Sequence, residues 1–267
     1  MEIIGERINT SRKHINKAVS ERNTEYIQEQ VRMQDKAGAD YIDVNAGTSV
    51  SAEVGDLEWL MDVVQEVTDK PLCIDSANPK AIESALKRSK NGIPIVNSIT
   101  GEKNRIDNIL PLVKKYNTKV VALTMDDSGM PENLEKRVDV ARKLADRLTS
   151  EGISLDRVYF DILIRPISTN PDQVSYVLQA VSIIMKELKG AHTICGLSNV
   201  SFGLPKRNHI NRSFLSLMIN AGLDAAIIDP TEADMVSTIY ATQALIGKDN
   251  FCMDYITADR AGKLGKN

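Results

Sequence analysis

A chain of 267 residues, 42% hydrophobic and 26% charged, can bury one large core and reads as a globular protein. Its 33 basic and 36 acidic residues are well mixed and leave a net charge of −3, without a basic stripe to neutralise a phosphate backbone, so no nucleic-acid partner is expected. Met1-Glu2-Ile3-Ile4 places no basic stretch ahead of a long apolar segment, which predicts a cytoplasmic protein with neither signal peptide nor membrane span.

In chain order, short runs rich in Ile and Val recur about every thirty residues, each followed by a longer segment of helical period, the pattern of βα units. Strands are predicted at 2–5, 41–44, 72–75, 95–98, 119–124, 158–161, 193–197 and 225–229. The helices between them include 57–67, 80–88, 134–150, 173–189, 210–220 and 232–246, several with acidic residues early and basic ones late, as the helix dipole favours. Eight such units with right-handed crossovers close into an α/β fold of the (β/α)8 TIM barrel type, a single domain over 1–267. A doubly wound open sheet is the alternative, but it calls for fewer strands and a glycine-rich phosphate turn after the first, where this chain reads Gly5-Glu6-Arg7-Ile8-Asn9. The Lys/Gly-rich tail at 262–267 is expected to fray.

Cys73, Cys195 and Cys252 are odd in number and far apart, and the first two sit in apolar strand-like runs, so neither a disulfide framework nor a zinc knuckle is expected. His14, His192 and His209 are not at ligand spacing from a second histidine or cysteine, and no protein-bound metal is expected.

Barrel enzymes carry their chemistry at the C-terminal ends of the strands. There the chain places Glu6 and Asn9, Asp43 and Asn45, Asp75, Asn97, Asp126, Asp161, Asn199 and Asp229. Helix N-capping is the plain alternative for such residues and the preferred one for Asp126 and Asp229. Asp75, Asn97 and Asp161 are attached directly to strand ends and so aim toward the barrel axis. A ring of short acceptors and amides suits a flat, donor-rich heterocycle. A 2-amino-4-oxo pterin, for instance, presents its 2-NH2 and N3–H side by side to one carboxylate.

Two absences narrow the chemistry. Lys70 and Lys119 precede their strands, which disfavours a Schiff-base aldolase, and no glycine-rich loop follows strand seven or eight to cradle a sugar phosphate. Arg7 and Arg207 could hold an anion such as a carboxylate tail, or pair at the surface.

The segments Gly5-Glu6-Arg7-Ile8-Asn9, Ile42-Asp43-Val44-Asn45-Ala46-Gly47, Cys73-Ile74-Asp75-Ser76, Val96-Asn97-Ser98 and Gly196-Leu197-Ser198-Asn199-Val200-Ser201 resemble the methyltetrahydrofolate:corrinoid protein methyltransferases. The likeness continues through Arg207-Asn208, Ile210-Asn211-Arg212 and Gly222-Leu223-Asp224-Ala225-Ala226-Ile227. That family is similar to the folate-binding domain of cobalamin-dependent methionine synthase and, more distantly, to dihydropteroate synthase. The resemblance implies a homodimeric barrel without its own metal that binds 5-methyltetrahydrofolate in its mouth and docks a separate corrinoid (cobalamin) protein above it. It implies Asp75, Asn97 and Asp161 as pterin-holding residues, with Ser198, Arg207, Asp43 and Asn45 around the same pocket. It also implies Asn199 as a mobile asparagine that reaches N5 of the folate. An amide cannot supply a proton, so Asn199 would orient a water or share in a network that protonates N5. The loops 126–133 and 162–170, the second holding Arg165, and the tail from Lys248 onward depart most from the family. In the barrel reading both loops rim the mouth, where the corrinoid protein would dock.

Two other readings stay open. A dihydropteroate-synthase-like enzyme would share the pterin pocket, but its strand-seven lysine and its Ser-Arg motif near strand eight have no match in Gly196-Leu197-Ser198-Asn199 and Asp229-Pro230-Thr231. A non-catalytic folate-binding subunit would keep the ring of polar residues, and Asn199 is the reason to prefer an enzyme.

Overall fold

The computed structural model describes residues 1–47, 49 and 51–265. Its strands are β1 (Glu2–Asn9), β2 (Tyr41–Asn45), β3 (Leu72–Asp75), β4 (Ile95–Thr100), β5 (Lys119–Leu123), β6 (Val158–Asp161), β7 (His192–Ile194) and β8 (Ala225–Ile228). The helices are α1 (Lys13–Ser20), α2 (Thr24–Lys36), α3 (Glu53–Gln65), α4 (Pro79–Arg88), α5 (Lys103–Lys115), α6 (Leu134–Ser150), α7 (Gln173–Glu187), α8 (Arg207–Ala221), α9 (Ala233–Leu245) and α10 (Met253–Arg260).

Branched aliphatic side chains point to both faces of the strands, as they do when a parallel sheet is covered on each side: Ile42, Val44, Ile74, Val96, Val120 and Val121 are all fully buried. All neighbouring strands are parallel, in the order β7-β6-β5-β4-β3-β2-β1-β8. The two edge strands meet where the chain leaves β7: the Ile227 N–H of β8 donates to the Cys195 carbonyl at 3.0 Å and Gly196 bridges to Ile227. The sheet thereby closes into the expected (β/α)8 barrel. One residue from each strand fills its interior: Ile4, Tyr41, Cys73, Ile95, Val121, Tyr159, Ile194 and Ala225. A larger apolar layer separates the sheet from the helices.

The N-terminal end of the barrel is sealed by polar groups. Lys119 Nζ donates to the hydroxyls of Tyr41 (2.7 Å) and Tyr159 (2.9 Å), and Tyr159 in turn donates to Glu2 at 2.6 Å. His192 stacks on Tyr159 and lies 2.7 Å from Asp224, which raises the imidazole pKa.

β3, β6 and α6 run between the predicted limits, while β1 continues to Asn9 through a register shift between Gly5 and Ile8. At Gly5 a Cβ would lie 2.4 Å from Oε1 of Gln34, so a side chain there would displace the carboxamide that accepts from the Arg7 N–H. β7 stops at Ile194 rather than 197, because Leu197–Ser201 turns into a 3₁₀ helix. The tail is better ordered than its composition suggests. The Leu264 carbonyl accepts from the Ser237 hydroxyl at 2.7 Å and the Lys263 N–H donates to Ala258 at 2.9 Å, which ties this segment to α9 and α10; 266–267 lie outside the described residues. Among the described residues no helix is long and apolar enough to cross a membrane.

Candidate functional site

A cavity of about 450 Å³ opens at the C-terminal end of the barrel. Strand ends β1 to β4 contribute Glu6, Asn9, Asp43, Asp75 and Asn97 to its wall, and the other side is closed by Ser198, Arg207, Asn208, Asn211, Ile227 and Glu232. Asp43, Asp75, Asn97, Ser198 and Arg207 are therefore brought together as the sequence predicts. Asn45, Asp161 and Asn199 are not part of this wall.

Asn45 instead supports Asp75. The two are register partners in β2 and β3, and the Asn45 amide donates to Oδ2 of Asp75 at 3.0 Å. Its carbonyl oxygen accepts from the Thr10 hydroxyl (3.1 Å) and the Gly47 N–H (3.0 Å), which fixes the orientation of the amide.

Asp43 and Asp75 line the same cavity but differ in their surroundings. Asp43 is 2% exposed, and its Oδ1 has no hydrogen-bond partner among the described residues. Burial, and then the charge of Asp75, push its pKa well above the carboxylate range. Asp75 is also raised by burial, but the Asn45 amide and the charge of Arg105 pull it back. Two neighbouring buried carboxyls cannot both ionise at little cost, and the surroundings favour the proton on Asp43 over Asp75. Beside them, burial raises Glu6 against the opposing ion pair with Arg12 at 2.7 Å.

Asp161 ends β6 on another part of the rim. Its Oδ1 accepts from the Leu163 N–H at 2.8 Å, and burial lifts its pKa to about 6. The loop that supplies this donor rests on a residue the sequence reading missed. Arg137 of α6 is fully buried and donates to the carbonyls of Ile162 (3.0 Å) and Asn133 (3.2 Å) and to the Gln173 side chain (2.6 Å). Burial lowers its pKa to about 10. The signal was an arginine lying within the apolar stripe of α6, next to Val138 and one turn before Ala141.

Asn199 lies in the 3₁₀ turn, exposed, and its side chain makes no hydrogen bond among the described residues. Its Nδ2 sits 3.3 Å from where a Cβ on Gly196 would be, so that glycine makes room for the amide. Capping does not explain it, because α8 starts after Lys206. Nor does capping hold for Asp126 and Asp229, contrary to expectation. Asn133 caps α6, while Asp126 accepts from Ser128 and Lys136 (2.7 Å), which draws its pKa down to about 2. Glu232 precedes α9, while Asp229 accepts from Thr231 and from Arg7 at 2.7 Å.

Of the two arginines that could hold an anion, Arg7 takes the other course and pairs with neighbouring side chains. Arg7 is committed to Gln30, Asp229 and Thr231 and is not in the cavity wall. Arg207 does reach the wall, but it donates to the Ser198 carbonyl (2.5 Å) and the Ser201 hydroxyl (3.0 Å), and so clamps the turn that carries Asn199.

Residues 5–229 match the family described as pterin binding enzyme. The methylcorrinoid:tetrahydrofolate methyltransferase of Eubacterium limosum is 36% identical over 267 residues, covering 99% of this chain and 98% of that protein. The methionine synthase of Mycobacterium leprae is 28% identical over 239 residues, which span 85% of this chain and 20% of the much longer enzyme. Among solved structures, the dihydropteroate synthase of Yersinia pestis superposes with a TM-score of 0.72 at 12% identity, covering 92% of this chain and 94% of that one, a likeness of fold alone.

Proposed function

Since the chain belongs to the pterin-binding enzymes, we propose that it is a methyltransferase that moves a methyl group between N5 of tetrahydrofolate and the cobalt of a corrinoid protein. The end-to-end match to a relative named for this reaction supports the reading. The observation that carries it is the single cavity at the barrel mouth that gathers Asp43, Asp75 and Asn97, with the Asp75 carboxylate held by the Asn45 amide. Asp75, held by Asn45, accepts the paired N–H donors of the pterin edge, and Asn97 reads the adjoining donor and acceptor. Asp161 takes a further pterin donor from across the rim, while Ser198 and Arg207 shape the wall.

Methyl transfer from folate leaves the electron pair of the broken C–N bond on N5, while a new bond forms to Co(I), which the partner protein supplies. N5 is a poor leaving group unless that electron density is stabilised or protonated. Burial favours the protonated form of Asp43, which suits this carboxyl to hold the proton that N5 takes up and to receive it back in the reverse direction. Asn199, uncommitted and at the lip, swings onto N5 and orients the donor.

In this reading 1–267 is one pterin-binding domain that works as a homodimer in the cytoplasm. The strongly exposed side chains of Leu245 and Phe251 supply apolar surface for a second copy to cover, and the exposed free thiol of Cys252 suits a reducing compartment. The corrinoid protein docks over the mouth.

The test is a methyl-transfer assay run in both directions, with 5-methyltetrahydrofolate and cob(I)alamin followed by the Co(I) absorbance. Turnover is expected, with no dihydropteroate formed from hydroxymethylpterin diphosphate and 4-aminobenzoate. Folate binding without methyl exchange would leave only a binding subunit.

A further inference from the structure

Arg105, in the first turn of α5, links two of the strand ends at the cavity. Its guanidinium donates to the carbonyls of Ser98 (3.0 Å), Ser76 (2.8 Å) and Ala77. Ser76 and Ala77 directly follow Asp75 at the end of β3, and Ser98 follows Asn97 in β4. A planar fork of five donors can span three carbonyls on two chain segments; an ammonium on a flexible stem cannot hold them in one plane. The opposite side of the same loop is tied to α3, where Glu53 accepts from the Ser76 hydroxyl (2.5 Å) and the Asn78 amide (3.1 Å).

We propose that Arg105 is a positioning residue for folate binding: one guanidinium anchored on three main-chain carbonyls sets the spacing between Asp75 and Asn97. This rests on the pterin-binding reading above. The cation has a second effect at the same place. The groups that face Asp75 are the Asn45 amide and Asp43 from β2, Glu53 from α3 and Arg105 from α5, with Glu102 beside Arg105 and with Cys73 and Glu6 beside Asp43. Burial favours protonation of Asp75 and Glu53 adds to it, so Arg105 is the one cation in this set that favours the carboxylate a pterin needs. Folate affinity is therefore full above the pKa of Asp75 and is lost as pH falls through it. Without Arg105 that loss begins at higher pH.

The experiment compares wild type, R105Q and R105K by isothermal titration with 5-methyltetrahydrofolate across pH. The carboxyl ¹³C shift of Asp75 is titrated in the unliganded proteins. R105Q is expected to raise the dissociation constant about tenfold, as misplaced charge-assisted hydrogen bonds do, and to move the Asp75 titration to higher pH. R105K is expected to restore the titration but not the affinity, which separates charge from geometry. R105Q with wild-type affinity and an unshifted titration overturns the inference and leaves the pterin reading standing, as does a loss of melting temperature with both unchanged. A wild-type protein that binds no folate overturns the inference through the reading beneath it.

Discussion

The side-chain amide of Asn45 lies 3.0 Å from Oδ2 of Asp75, and the other end of that amide is held by Thr10 and Gly47. One oriented donor thus presents one carboxylate. Asn45→Ala removes the donor and frees Asp75 to turn. Folate affinity should fall by about 1–2 kcal/mol, the worth of a hydrogen bond to a charged group. Isothermal titration checks it, and native affinity would remove Asn45 from the support of the pterin site.

Asn199→Ala should leave the melting temperature nearly unchanged, because the side chain is exposed and caps no helix. The methyl-transfer rate should drop by about 10²-fold, in the range that positioned proton-transfer and hydrogen-bonding groups contribute. Stopped-flow loss of Co(I) absorbance measures it. An unchanged rate would show that the amide is only part of the turn.

Asp161 makes stability depend on pH. Its folded pKa is raised to about 6, so between the ordinary carboxylate range and about pH 6 the folded protein binds more protons than the unfolded chain, and this contribution to stability is lost as pH rises. Thermal melts of wild type should therefore fall, relative to Asp161→Asn, as pH rises from about 4 to 6, and then run parallel. Parallel curves over the whole range would contradict the raised pKa.

Arg137→Met should cost about 2–4 kcal/mol, because three main-chain carbonyls and the Gln173 side chain lose their donor in a buried place. Denaturant unfolding gives the figure. The loop that supplies the Leu163 N–H should also loosen, seen as faster hydrogen exchange at 162–165.

The barrel was legible because burial on both faces writes each strand as a run of branched aliphatics, and β3 and β6 end at the very aspartates that were singled out. β1 was cut short, since the polar Glu6 and Arg7 interrupt its run where the register shifts. At the site, residue type marked the wall but not the division of labour. Asp43 and Asp75 read alike in the chain, and only packing decides which keeps the proton. Arg105 and Arg137 left little trace because their acceptors are mostly main-chain carbonyls, which every residue carries.

The lysine, tyrosine and glutamate cluster at the opposite pole of the barrel makes the cylinder blind. A folate in the barrel mouth then has a single doorway, the one over which the proposed corrinoid carrier would dock. In the proposed reaction, spent pteridine would therefore share its exit with the docked carrier, which ties product release to two proteins parting.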